Sequence, residues 1–64
     1  DERERVLALV LARGAMSSAD VARALHLSGS TALRMLRGLC ADGRLAREGS
    51  GRATRYLRRG TPDG

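Results

Sequence analysis

The sequence predicts a single, mainly α domain: three short helices followed by a small β-hairpin. Three observations carry this. Between Ser17 and Leu45, two short helical patterns stand on either side of a tight break at Leu25-His26-Leu27-Ser28. An earlier apolar-periodic stretch, Asp1 to Arg13, stops at Gly14. After Asp42-Gly43, two short runs flank a glycine-rich tip, Gly49-Ser50-Gly51-Arg52, as in a hairpin.

Length and composition set the limits. The 64 residues are enough for one small domain. A domain of this size buries only about 60% of the surface its unfolded chain exposes. Cys40 is the single cysteine, so no disulfide forms within the chain, and a lone thiol fits a reducing compartment. The longest apolar run, Val6 to Ala12, is too short to span a bilayer, and no stretch reads as a signal peptide. A cytoplasmic location with no membrane partner is expected. The chain opens at Asp1 rather than at a methionine, so it is expected to be cut from a larger protein.

The net charge is +5, and all twelve basic residues are arginine. The guanidinium fork suits phosphate oxygens and guanine edges, which favours a polyanionic partner. A GC-rich coding sequence would also enrich arginine, so position has to decide.

Helix one spans Asp1 to Arg13. Asp1, Glu2 and Glu4 sit where the positive end of the helix dipole favours acids. Val6, Leu9 and Val10 share one side, and Leu7 and Leu11 widen the apolar stripe beyond what a small bundle needs. The excess would be covered by a neighbouring domain or a dimer, or would leave a leucine partly exposed. Ser17 and Asp20 form a capping box for helix two, which runs through Val21, Ala22 and Leu25. His26 lies in the turn. With only Cys40 as a further ligand candidate it makes no zinc site, and a turn residue in an unusual backbone conformation is the favoured reading. Leu27 is expected to plug the core beneath it.

Ser28 caps helix three. Ala32, Leu36 and Leu39 are spaced i, i+4, i+7 and should face the other helices, with Met35 and Cys40 beside them. Cys40 reads as a small buried hydrophobe rather than a reactive thiol. Ser30, Leu33, Arg34 and Arg37 lie on the other side. Arg44 to Glu48 and Ala53 to Arg59 read as strands, with Leu45 and Tyr56 pointing to the core. Arg52, Arg55, Arg58 and Arg59, with Arg47 across the hairpin, make the densest basic patch. Residues 1–59 are thus expected to be the domain, and residues 60–64 a flexible tail or linker.

Two short helices joined by so brief a turn form a helix-turn-helix, which places its second helix in the DNA major groove. With the hairpin added, the chain resembles the winged helix-turn-helix domains of bacterial transcription regulators. The resemblance runs through Arg5-Val6-Leu7 to Val10, Arg13-Gly14-Ala15-Met16, Ser18 to Ala22, Leu27-Ser28, Ser30-Thr31-Ala32, Leu36 to Leu39, Asp42 to Leu45, Gly49 to Arg52 and Thr54-Arg55-Tyr56. It covers about residues 5 to 58 and does not pick among the MarR, ArsR, GntR and IclR groups, or winged domains appended to enzymes such as Fic proteins. It implies sequence-dependent binding of double-stranded DNA through Ser28, Ser30, Thr31, Arg34 and Arg37 in helix three. It also implies wing contacts from Arg52 and Arg55. Leu33 departs from the pattern, where a small or polar residue is usual; it suits a thymine methyl or a protein interface. His26 departs too, where glycine is usual.

The alternative is a protein-protein interaction or dimerisation module within a larger protein, since the fold alone does not assign function. The arginines at the glycine tip weigh against it. No catalytic constellation is visible: there is no Ser-His-Asp set, no paired carboxylates in an apolar setting and no phosphate-binding glycine loop. An enzyme is therefore not expected, nor a metal or cofactor. The expected partners are double-stranded DNA and either a second copy or other domains of the parent protein.

Overall fold

A computed structural model of the chain describes residues 1–59; the tail expected at residues 60–64 lies outside them. The element order is α1 (Glu2–Arg13), β1 (Ala15–Met16), α2 (Ser18–Leu25), α3 (Gly29–Ala41), β2 (Leu45–Glu48) and β3 (Arg55–Arg58), with a single 3-10 turn at Gly51–Ala53. The three helices fall where their apolar spacing and caps predict. Asp1 caps α1, its carboxylate accepting from the Arg3 amide at 2.9 Å. Gly14 closes that helix with φ 93°. The capping box of α2 is complete: Ser17 Oγ accepts from the Asp20 amide at 3.1 Å, and Asp20 Oδ2 accepts from the Ser17 amide at 3.4 Å.

His26 ends α2 in the left-handed region, φ 57° and ψ 44°. The following amide, that of Leu27, donates back to the Ala22 carbonyl at 2.9 Å. This bond pattern usually has glycine at the left-handed position. A Cβ there costs roughly 1–2 kcal/mol, against about 0.5–1 kcal/mol of extra unfolded-state entropy for glycine. His26→Gly is therefore expected to stabilise the domain by about 0.5–1 kcal/mol, a rise in melting temperature of a few degrees in a thermal denaturation curve.

Helix α3 stops by the same device with glycine in place. Gly43 has φ 80°, its amide donates to Cys40 O at 3.0 Å, and the Arg44 amide donates to Leu39 O at 2.9 Å. The chain turns sharply there and delivers Leu45 into the core at 2% exposure. Two ion pairs tie the first turn of α1 to this corner: Arg3 to Asp42 at 3.2 Å and Arg44 to Glu4 at 2.9 Å. All four side chains are about half exposed or more, so each pair contributes little on its own.

The structure enlarges the expected hairpin into a three-stranded antiparallel sheet in the order β1-β3-β2. Ala15 pairs with Leu57 and Met16 with Tyr56, so the two residues between α1 and α2 form a short strand. On the other side of β3, Leu45 pairs with Arg58, Ala46 with Leu57, Arg47 with Tyr56 and Glu48 with Arg55. The strands are a little shorter than their sequence patterns, beginning at Leu45 and at Arg55. At the tip Gly49 has φ 84°, and a Cβ there would collide with the Ala53 carbonyl, so the tight approach of the two arms needs a glycine.

The core is the set Val6, Val10, Met16, Val21, Ala32, Leu36, Leu39, Leu45 and Tyr56. Leu7, Leu9, Leu25, Leu27, Leu33, Met35 and Cys40 pack against it half-buried. Leu27 thus lines the base of the turn without being sealed in. Of the wide apolar stripe on α1, only Leu11 remains exposed, at 46%. Among the described residues no helix is long and apolar enough to cross a membrane.

Candidate nucleic-acid interface

Helix α3 begins with three hydroxyls drawn together. Ser28 Oγ accepts from the Thr31 amide at 3.2 Å and donates to Thr31 Oγ1 at 2.8 Å, with Ser30 Oγ at 3.4 Å. The first turns of α1 and α2 carry acids, Glu2 and Glu4 in one and Asp20 in the other; the first turn of α3 has none. The positive end of the α3 dipole is therefore left uncompensated at an exposed surface. Arg34 and Arg37 follow on the same helix, both exposed.

Ion pairing divides the arginines by location. Arg3, Arg5, Arg23 and Arg44 each lie within 4.0 Å of a carboxylate. All four are on α1, α2 or the corner after α3. Among the described residues, no carboxylate stands within that distance of Arg34, Arg37, Arg47, Arg52 or Arg55. The free guanidinium groups are thus concentrated on α3 and the hairpin.

Several of them converge. A groove of about 640 Å³ runs between the start of α2, the middle of α3 and the hairpin. Arg37, Arg47, Arg52 and Arg55 line it, with Leu33, Tyr56 and the Ser17–Asp20 turn as other walls. Arg55 is further steadied by donating from Nη1 to its neighbour's carbonyl, Thr54 O, at 3.2 Å. Of the residues expected to face DNA, Arg37, Arg52 and Arg55 are brought together in this groove. Ser28, Ser30, Thr31 and Arg34 are not among its lining; they belong to the N-terminal half of α3. Leu33 lies between the two groups, half-buried against the core and lining the groove.

The charged groove residues Asp20, Arg23 and Arg47 are not among the site residues expected from the sequence. Arg47 faces Tyr56 across the strand pair, and its place in the hairpin's basic patch was the available signal. Asp20 was visible only as a capping residue. Its carboxyl is held below the usual carboxylate range by its bonds with Ser17, helped by the nearby Arg23 and Arg55.

Burial pushes the Cys40 thiol above its ordinary value, with Arg47 opposing weakly. It stays protonated at neutral pH, in line with a half-buried apolar role. The described residues hold no group of three or more potential metal ligands.

Three helices, a sharp turn before the third and a β-hairpin wing after it define a winged helix-turn-helix domain. The chain belongs to the IclR helix-turn-helix domain family, whose model matches residues 5–49. That span takes in α1 from Arg5 onward and all of β1, α2, α3 and β2, and ends at the first glycine of the wing tip. The match makes this a DNA-binding kind of domain found in bacterial transcription regulators, regulatory rather than catalytic. Arg52 and Arg55 lie beyond the matched residues. No curated protein and no solved structure matches the chain.

Proposed function

We propose that this domain binds double-stranded DNA in a sequence-dependent manner as the DNA-binding part of a cytoplasmic transcriptional regulator. Helix α3 lies in the major groove and the arginine wing on the flanking backbone. The observation that carries the reading is the convergence of Arg37, Arg47, Arg52 and Arg55, none of them ion-paired, on one groove beside α3. Ser28, Ser30 and Thr31 meet phosphate at the positive end of the helix. Arg34, one turn before Arg37, reaches a base edge or the groove wall. Arg52 and Arg55 straddle the backbone or enter the adjacent minor groove.

A single module of this kind offers roughly 600–1,000 Å² of contact, which is small for a specific complex. We therefore place it in a dimer or beside further domains, with half-sites about 10 base pairs apart or a multiple of that. Leu11 is the one large apolar residue exposed among the described residues, and a single exposed leucine is ordinary surface that does not by itself favour the alternative of a protein-interaction module.

A binding titration on mixed-sequence duplex DNA at about 50 and 200 mM salt tests the proposal. Five phosphate contacts give a slope of about −4.5 in log affinity against log salt, hence a loss of roughly 500-fold across that range. No binding at the lower salt would turn the assignment toward a protein partner.

A further inference from the structure

The groove lining contains one acid. Asp20 is the third residue of α2, and Arg23, Arg37, Arg47, Arg52 and Arg55 border the same space. Its carboxylate is fixed by the backbone rather than free to swing, because Oδ2 accepts from the Ser17 amide while the Asp20 amide donates to Ser17 Oγ. Oδ1 lies 4.0 Å from Arg23 Nη1, yet the side chain keeps 46% of its exposure. The bonds with Ser17, and then the fields of Arg23 and Arg55, hold its carboxyl below the ordinary range, so it is charged at neutral pH.

A charge anchored at that point acts on any polyanion entering the groove. It repels phosphate from the start of α2, where free amides and the dipole would otherwise attract it. It also offsets part of the charge of Arg23 and Arg55, the two guanidinium groups whose fields reach it. Arg37, Arg47, Arg52 and Arg55 have no carboxylate within 4.0 Å among the described residues, whereas Arg23 stands at that distance from Asp20.

We propose that Asp20, beyond capping α2, is a specificity-determining residue of the DNA interface: it excludes phosphate from the α2 end of the groove and leaves the backbone contact to the unpaired arginines of α3 and the wing. The domain thereby gives up part of its general electrostatic affinity, for mixed duplex DNA included, and the affinity that remains comes from α3 and the wing. This rests on the DNA-binding reading above.

Asp20→Asn is the test, because the amide oxygen can still accept from the Ser17 amide. In salt titrations on mixed duplex DNA, the variant is expected to show a slope steeper by about one counterion and affinity about tenfold higher near 50 mM salt. Its melting temperature should stay within a few degrees of the parent. Ser17→Ala is the companion variant: it breaks the cap and keeps the charge, so it should melt lower with the slope unchanged. Equal or weaker binding by Asp20→Asn would overturn the inference, as would a slope change in Ser17→Ala that matches it. Failure of the parent domain itself to bind DNA at low salt is a different outcome, overturning the DNA-binding reading and this inference with it.

Discussion

Leu36→Ala is expected to unfold most of the domain at room temperature. Leu36 is fully buried in α3, at the centre of a core built from all three helices and the sheet. Truncating a buried leucine removes its transfer free energy and leaves a cavity that a close-packed core fills only in part, at a cost of about 2–5 kcal/mol. A single core in so short a chain seldom supplies more than about 3–5 kcal/mol of net stability, so one substitution can consume it all. With no disulfide and no metal-ligand cluster among the described residues, the core has no covalent or metal staple to fall back on. Far-ultraviolet circular dichroism against temperature reads the effect directly. At about 4–8 °C per kcal/mol for a domain this small, the transition should fall by about 8 °C at the very least, or be lost. Leu11→Ala, on the exposed side of α1, should shift it by no more than a few degrees. Equal shifts for the two variants would mean that Leu36 is not a keystone of the core.

The difference between those two leucines was only partly legible in the sequence. The i, i+4, i+7 spacing of Ala32, Leu36 and Leu39 fixes one face of α3 regardless of its neighbours, and all three are buried. On α1 the apolar residues cover more than one face, so periodicity alone could not say which of Leu7, Leu9 and Leu11 would be left out. That choice depends on where α3 and β3 pack. The caps were legible for the opposite reason: Ser17, Ser28 and Gly43 act within a few residues of themselves, through bonds that need no tertiary partner, whereas Asp1, expected inside helix one, stands just outside it as the cap. Ala15-Met16 shows the limit. Two residues have no periodicity to read, and they are a strand only because β3 lies beside them, which also puts Met16 in the core. The interface follows the same rule. The arginines of the wing stand out in the sequence, but the meeting of Arg37 with Arg47, Arg52 and Arg55, and the intrusion of Asp20 among them, exist only once α3 is packed between α2 and the hairpin.

That docking makes the groove arginines separable from the rest of the positive charge. The triple variant Arg37→Ala, Arg52→Ala, Arg55→Ala is expected to lose most DNA affinity while keeping its fold. All three side chains are exposed and none contributes to the core, so circular dichroism should be nearly unchanged. If each neutralises one phosphate, the salt slope should fall by about 2.7, and binding near 0.1 M salt should weaken by roughly 500-fold. The control is the pair Arg5→Ala and Arg13→Ala, which lowers the net charge from α1 without touching the groove lining. If binding followed net charge alone, each arginine removed from α1 would cost as much as each one removed from the groove. Contact through the groove predicts a small loss for the α1 pair and a slope close to the parent. The comparison therefore weighs position against composition, the choice that twelve arginines in a lysine-free chain leave open. A slope that does not change in the triple variant would take the wing and Arg37 out of the DNA contact and leave α3's first turn, with Arg34, as the remaining candidate.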